Sequence, residues 1–222
     1  MFTGIIEEVG NVLSIHRSNS GAIISVGCNH VLSGVKDGDS IAVNGVCLTV
    51  TRHDSAGFQA DISNESLRVT SLGQLKSGDG VNVERAMAAT GRFDGHMVAG
   101  HVDTTAQIMD ISRDGNSWKF RLRLHQPECI RYFIERGSAS IDGVSLTVFD
   151  VDTATASFTF NLIPHSQSLT TLTTKKSGDV VNIECDLVAK YIERLLGFGT
   201  SGATPASQGG VSMELLRQHG FM

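Results

Sequence analysis

The string Lys76-Ser77-Gly78-Asp79-Gly80-Val81-Asn82-Val83-Glu84 returns as Lys176-Ser177-Gly178-Asp179-Val180-Val181-Asn182-Ile183-Glu184, an offset of 100 residues. Asn44-Gly45-Val46-Cys47-Leu48-Thr49-Val50 is answered by Asp142-Gly143-Val144-Ser145-Leu146-Thr147-Val148 at an offset of 98. Met1-Phe2-Thr3-Gly4-Ile5-Ile6-Glu7 is answered by Met97-Val98-Ala99-Gly100-His101-Val102-Asp103 at 96. Three blocks in one order with a slowly growing offset mean duplication with small loop insertions, because shared composition would not keep the order. Any fold for these 222 residues must therefore use one unit twice, with about 100 residues and a modest core per copy.

Inside each copy the local signals are those of strands. Trp118, Phe120, Leu122 and Leu124 alternate with Lys119, Arg121 and Arg123, a period of two that buries one face. Arg113-Asp114-Gly115-Asn116 marks a tight hairpin between residues 106–111 and that run, and Ser18-Asn19-Ser20-Gly21 stands at the corresponding place in the first copy. Residues 46–52 and 58–62, joined through 53–57, read as another hairpin. About six short strands per copy with Gly and Asp turns predict a small closed barrel. Short helices are expected at 64–72 and 127–136. The fold class is thus all-β: two tandem six-stranded barrels, residues 1–90 and 97–186, and a tail over 187–222.

In that tail Leu187, Val188, Tyr191, Ile192 and Leu195 recur at helical spacing. A Gly/Ser/Ala stretch over 197–210 reads as a flexible linker, and Ser212 could cap a last short helix over 213–219 that Gly220 would stop. A lone amphipathic helix after a finished barrel needs a surface to cover, either its own barrels or another copy of the chain.

Several function classes are excluded. A formal charge of −5 without a basic stripe argues against a nucleic-acid partner. No apolar run approaches the roughly 20 residues that span a bilayer, and no leader pattern follows Met1. Cys28, Cys47, Cys129 and Cys185 are scattered without a C-x-x-C pair, so they read as reduced cytoplasmic thiols. Dinucleotide, Walker, zincin and nucleophile-elbow motifs are missing. His96 and His101 lie on a segment with no helical pattern, which makes a metal pair improbable. No cofactor or metal is expected.

Met1-Phe2-Thr3-Gly4-Ile5-Ile6, Asn44 to Val50, Gly100-His101-Val102-Asp103 and Asp142 to Val148 together resemble the riboflavin synthase family, from residue 1 to about 186. The resemblance implies a Greek-key barrel for each repeat and a homotrimer assembled through the C-terminal helices. It implies that two molecules of 6,7-dimethyl-8-ribityllumazine exchange a four-carbon unit, giving riboflavin and 5-amino-6-ribitylaminouracil without a cofactor. It also raises lumazine synthase as a partner. On the same basis the ligand contacts in the first copy would be Gly4, Ile5, Ile6, Cys47, Leu48, Thr49, Asp61, Ile62, Ser63, Asn64, Glu65 and Ser66. In the second copy they would be Gly100, His101, Val102, Arg136, Ser145, Leu146, Thr147, Asn161, Leu162, Ile163, Pro164, His165 and Ser166.

Duplication suits such chemistry physically. Two copies of one unit can hold two copies of one ligand about a pseudo-twofold axis, which supplies proximity and orientation. One ligand must nevertheless donate carbons while the other accepts, so the copies should differ at the reacting centre. They do: Ile5 answers His101, Cys47 answers Ser145, and Ala86 answers Asp186.

Each of these residues has a plain structural alternative. His101 could transfer protons near neutral pH or simply bond backbone. Cys47 could attack the electron-poor C7 of a lumazine or pack as a small hydrophobe. Ser40 is the other hydroxyl that could attack there or hold a water. Ser145 and Thr147 share one strand face and could bind the ring or relay a proton at a barrel mouth, though Thr is common in strands. Asp186 could stabilise a cationic transition state or cap the following helix. Glu65 and His165 could be ribityl or ring contacts, or lie on solvated helix faces.

Arg136 stands where the family commonly has lysine, which keeps the charge but replaces an ammonium by a guanidinium that binds differently. Ser166-Gln167 replaces Thr-Leu, with Gln167 at an apolar position, and Asp94-Gly95-His96 replaces Gly-Gly-His. Two other functions compete. A non-catalytic lumazine- or flavin-binding antenna protein would have lost reactive residues from one copy, whereas here both copies keep their motifs. A flavin-dependent oxidoreductase would need a nicotinamide domain, for which the chain has no room.

Overall fold

A computed structural model describes residues 1–197, and in it twelve strands close into two antiparallel barrels. The first comprises β1 (Glu8–Ser18), β2 (Gly21–Gly27), β3 (Ser40–Val43), β4 (Val46–Asp54), β5 (Gly57–Ile62) and β6 (Gly80–Arg85), in the cyclic order β1-β2-β5-β4-β3-β6. The second comprises β7 (Thr104–Asp114), β8 (Ser117–Leu124), β9 (Ser138–Ile141), β10 (Val144–Asp152), β11 (Ser157–Leu162) and β12 (Val180–Cys185), and repeats that order strand for strand. The neighbour of β2 is β5 rather than β3, which makes each barrel a Greek key. Both belong to one compact unit, Met1–Lys190; a second unit begins at Tyr191. Among the described residues no helix is long and apolar enough to cross a membrane, and no cysteine forms a disulfide.

The expected hairpins are present, and alternation places one apolar face of every strand inside. Ile24, Ile41, Leu48, Val50 and Phe58 fill the first barrel. The second is more aromatic, with Phe120 stacked on Phe160 at 4.8 Å and Phe133 tilted on Phe158 at 4.6 Å. The helix expected over 64–72 is broken in two: α1 (Asn64–Val69), capped by Ser63, and a 3-10 turn over Ser71–Gln74. Extended backbone at Thr70 makes the break, and its hydroxyl accepts from Leu72 N to start the second piece. In the second copy α2 (Pro164–Leu169) is likewise followed by a 3-10 turn at Thr171–Thr174. The segment over 127–136 is a 3-10 turn, Pro127–Tyr132, that ends where Phe133 becomes extended. The amphipathic run is helical as α3 (Leu187–Leu196). The expected last helix and most of the expected linker lie outside the described residues.

The barrels are joined back to back by a twofold-symmetric exchange of hydrogen bonds. Asn44-Gly45 and Asp142-Gly143 turn the β3–β4 and β9–β10 hairpins with positive φ at all four residues (46°, 77°, 45° and 85°). That is the type I′ geometry which Asn or Asp followed by Gly adopts most readily. The turns touch: a Cβ on Gly45 would lie 2.7 Å from Gly143 N. Asn82 Nδ2 donates to Asp142 O and Asn182 Nδ2 donates to Asn44 O, each at 2.9 Å. The same amides accept across the interface, Asn82 Oδ1 from Thr171 N at 2.8 Å and Asn182 Oδ1 from Ser71 N at 2.7 Å. All are buried, so each bond lost would leave a desolvated partner.

One position breaks the symmetry. Asn44 Oδ1 accepts from Asn82 N at 2.8 Å, and Asp142 Oδ1 does the same from Asn182 N at 2.7 Å while its other oxygen meets Lys175 Nζ at 3.1 Å. Burial pushes the Asp142 carboxyl up, against the pull of Lys175. The amide in the first barrel performs the same task without a charge. Asp142→Asn should therefore unfold in urea within about 1 kcal/mol of wild type, or above it. Asn182→Ala, which orphans two buried backbone groups, Ser71 N–H and Asn44 C=O, should cost about 2–4 kcal/mol. A loss for Asp142→Asn as large as that for Asn182→Ala would assign the stabilisation to the ion pair instead.

Candidate active site

The segments leading into β1 and β7 do not stay with their own barrels. Phe2 and Val98 form an antiparallel bridge, Phe2 N donating to Val98 O at 2.7 Å and Val98 N to Phe2 O at 3.1 Å. Beyond it each segment crosses to the opposite barrel. Gly4 O accepts from Ser145 N on β10 at 2.8 Å, and Gly100 O accepts from Cys47 N on β4 at 2.9 Å. Ile6 then packs in the second barrel's core and Val102 against the first's. Both glycines are required. Gly4 and Gly100 have φ of 76° and 80°, and an added Cβ would lie 2.7 Å from Ser145 Cβ and 2.6 Å from Cys47 Cβ.

Two buried carboxylates hold these segments. Glu84 accepts from Thr3 N at 2.7 Å, Thr3 Oγ1 at 2.8 Å and Gly4 N at 3.1 Å. Glu184 accepts from Ala99 N at 2.6 Å, Gly100 N at 2.9 Å and His101 N at 3.0 Å. Burial raises both carboxyls, while the converging N–H groups pull them back. The two acids end the repeated nine-residue string, so their recurrence was visible in the sequence although their task was not.

The candidate ligand residues sort by strand face. Ser40 pairs with Thr49 and Ala42 with Cys47, while Ile41 and Leu48 point into the core. In the second barrel Ser145 pairs with Ser140 and Thr147 with Ser138, with Leu146 in the core. The Ser145/Thr147 face is therefore the outside of the barrel wall, not a mouth, because aliphatic and aromatic side chains fill the interior. Leu48, Ile62, Leu146, Leu162 and Ile6 are buried core residues, and any ligand contact they make is through backbone. Such backbone is on offer. The β4 ladder runs to β3 over Val46–Thr49 and to β5 only from Val50, and β10 changes partner between Thr147 and Val148 in the same way. A gap therefore opens on each barrel's outer wall between Thr49 or Thr147 and the end of β5 or β11.

Polar residues rim each gap. Asp61, Ser63, Asn64 and Glu65 are exposed on the first barrel. Ser63 Oγ accepts from Ser66 N at 3.0 Å, Asn64 Nδ2 donates to Asn19 O at 2.8 Å, and Glu65 pairs with Arg68 at 2.6 Å. On the second barrel Asn161 donates to Asp114 at 3.3 Å, Ile163, Pro164 and His165 are exposed, and Ser166 O accepts from Thr170 Oγ1 at 2.8 Å. Gln167 is accommodated by hydrogen bonds rather than apolar packing: Nε2 donates to Leu162 O at 2.7 Å and Asn116 O at 3.2 Å. Arg136 is exposed and holds φ of 64°, an unusual conformation for a non-glycine residue, where the first copy has Gly38.

The reactive candidates are only partly gathered. Cys47 packs beside Phe2, Ala42 and Val98, a small-hydrophobe environment. Ser40 instead lines a cavity of about 560 Å³ with Thr3, Ile5, Ala86 and Met87. Asp186 Oδ1 accepts from Val188 N at 2.9 Å at the start of α3, as a helix cap does. The His101 ring is exposed. Ser145 has a partner that the sequence reading passed over. His96 Nδ1 lies 2.7 Å from Ser145 Oγ, and the other ring nitrogen is buried without a partner. Burial lowers the imidazole's pKa, against a smaller upward pull from Asp186. A neutral imidazole against a hydroxyl is an arrangement that can hold or move a proton. His96 lies 49 residues before Ser145, a separation that no local sequence pattern bridges. Among the described residues no group of acids, histidines and cysteines could hold a metal.

Gly100→Ala provides a test of the crossed segments. The left-handed backbone and the contact with Cys47 should together cost about 2–4 kcal/mol in urea unfolding. A cost below about 1 kcal/mol would show that the segment does not press on β4.

A lumazine binding domain matches the chain twice, over residues 3–86 and 99–186. The riboflavin synthase of Actinobacillus pleuropneumoniae is 49% identical over 221 residues and that of Bacillus subtilis 42% over 221, each covering 100% of both chains. The riboflavin synthase of Schizosaccharomyces pombe is 42% identical over 197 residues, covering 88% of this chain and 94% of its own. Among solved structures, LumP complexed with 6,7-dimethyl-8-(1'-D-ribityl) lumazine superposes with a TM-score of 0.74 at 22% identity, covering 83% of this chain and 99% of that one. LumP complexed with riboflavin gives 0.75 at 24%, with the same coverage. At that identity the likeness is one of fold, and an antenna protein is not favoured. The full-length relatives are decisive: the chain belongs to the riboflavin synthase family and is an enzyme of the transferase class.

Proposed function

We propose that the chain converts two molecules of 6,7-dimethyl-8-ribityllumazine into riboflavin and 5-amino-6-ribitylaminouracil by transfer of a four-carbon unit. The observation that carries this reading is a symmetric scaffold with unlike chemistry at equivalent points. Both barrels present the same outer-wall gap, while only the second carries His101, His96 beside Ser145, and Asp186. Each gap would take one lumazine, its backbone edge meeting the ring and the α1 or α2 rim meeting the ribityl chain. The 7-methyl group of a lumazine is acidic because its carbanion delocalises into the ring carbonyls, so a modest base suffices. His101 is the exposed candidate for that proton transfer, and the His96–Ser145 pair can relay it. Attack at C7 of the other lumazine falls to Ser40, to Cys47 or to water. The environment of Cys47 favours the other two.

We further propose a cytoplasmic homotrimer in which the first barrel of one subunit faces the second barrel of its neighbour. Within one chain the barrels are fixed back to back through Phe2, Val98, Gly45 and Gly143. Val188, Tyr191, Ile192 and Leu195 of α3 are exposed apolar side chains that a second copy could cover. Association with lumazine synthase rests on the family resemblance alone.

Incubating the purified chain with the dimethyl-ribityllumazine alone should yield one riboflavin for every two substrates consumed. A requirement for NAD(P)H, ATP or a metal would defeat the reading. His101→Ala should keep substrate binding and lose at least about tenfold in turnover, since general acid–base help is typically worth ~10²–10⁴; unchanged turnover at saturation would make His101 structural. Sedimentation equilibrium should give the mass of three chains, and a monomeric mass would reject the shared site.

A further inference from the structure

The His101 ring has no hydrogen-bond partner among the described residues, so the backbone that carries it sets where its Cα–Cβ bond starts and points. That backbone is held unusually well. Glu184, only 2% exposed, receives three consecutive N–H groups, and the third is His101's own. Consecutive N–H groups converging on one anion form a concave nest, and charge-assisted bonds of this kind are among the stronger ones a backbone makes. They fix the dihedrals around Gly100, whose positive φ would otherwise need no particular value.

The first barrel shows what is special to the second. Glu84 gathers Thr3 and Gly4 but stops there: Ile5 N, the counterpart of His101 N, donates to Thr3 Oγ1 at 3.3 Å. The carboxylate thus grips the third residue only where that residue is a histidine. Asp103 anchors the far side, accepting from Cys185 N at 2.8 Å and from Lys190 Nζ at 2.8 Å. His101 is therefore suspended between two attachments to the end of β12.

We propose that Glu184 is a positioning residue for His101: by binding its N–H together with those of Ala99 and Gly100, it aims the imidazole at the substrate. The inference rests on the proposed reaction and on the proton-transfer role of His101 within it. Glutamine at 184 keeps the size but turns an acceptor into a donor that faces the same N–H groups. Misplacement of a catalytic group by about 1 Å can cost about 10²-fold.

The test compares Glu184→Gln with Glu84→Gln in the full chain, reading kcat and KM separately with the dimethyl-ribityllumazine. Glu184→Gln should lower kcat at least about tenfold with KM changing less than about threefold. Glu84→Gln, whose clamp holds no histidine, should raise KM and lower kcat less than about threefold. Equal effects on kcat from the two variants, or a kcat for Glu184→Gln within threefold of wild type, would overturn the proposal. Amide exchange on the unaltered chain decides the matter if Glu184→Gln does not fold or wild type proves inactive. Slowing of the His101 amide by about 100-fold or more, relative to exposed loop amides, is expected. Exchange at the loop rate would remove the clamp and the proposal with it, whereas an inactive wild type would by itself overturn only the proposed reaction.

Discussion

Everything about the site depends on how the two barrels are sewn together. Each barrel lends its leading segment to the other: Gly4 bonds to β10 and Gly100 to β4. At the far side of the interface Asn82 and Asn182 exchange hydrogen bonds with the opposing hairpin turns. These bonds are buried and mutual, so neither barrel can rotate without desolvating unpaired groups in both. Gly100 lies against Cys47 and Gly4 against Ser145, each from the opposite copy, for this reason. Neither barrel alone would present the same surface.

The scaffold is symmetric and the chemistry is not. Duplication supplies two equivalent gaps on the outer walls, each formed where a strand changes partner between Thr49 and Val50 or Thr147 and Val148. Among the positions that differ are Ile5 against His101, Cys47 against Ser145, and Asn44 against Asp142. Change at these points leaves the core intact, because they lie on outer faces, turns or leading segments. The Asn44/Asp142 difference shows the tolerance. One site uses an amide and the other a carboxylate with Lys175 beside it, and the hairpin geometry is the same.

Buried acids do unlike work in this molecule. Asp142 holds a hairpin, and Glu84 and Glu184 hold leading segments through N–H groups. In each case desolvation raises the carboxyl while hydrogen bonds or a nearby cation pull it back. His96 is pressed the other way, toward the neutral form, by the same burial. A neutral imidazole beside Ser145 and an exposed one at His101 give the second barrel two histidines in different environments five residues apart.

Much of the fold was legible in the residues themselves. The ordered repeats dictated two like units, alternation at Trp118 to Leu124 dictated strands with one buried face, and the spacing of Leu187, Val188, Tyr191 and Leu195 dictated a helix. These are local periodicities, and local backbone geometry obeys them. Family motifs pointed to His101, Ser145 and the α1 and α2 rims. What no periodicity could tell was which barrel a segment would touch. The crossing of Met1–Ile6 and Met97–Val102 to opposite partners, the pairing of His96 with Ser145 and the grip of Glu184 on His101 are contacts between residues from 49 (His96 to Ser145) to 141 (Gly4 to Ser145) apart in sequence. The outward orientation of Ser145 and Thr147 was settled only by closure of the barrel, which filled the interior with Phe, Leu and Val and left polar side chains the outer wall. Sequence alone determined the unit and its doubling; tertiary closure decided where the two units meet, because long-range partners are chosen by which buried groups must be satisfied together.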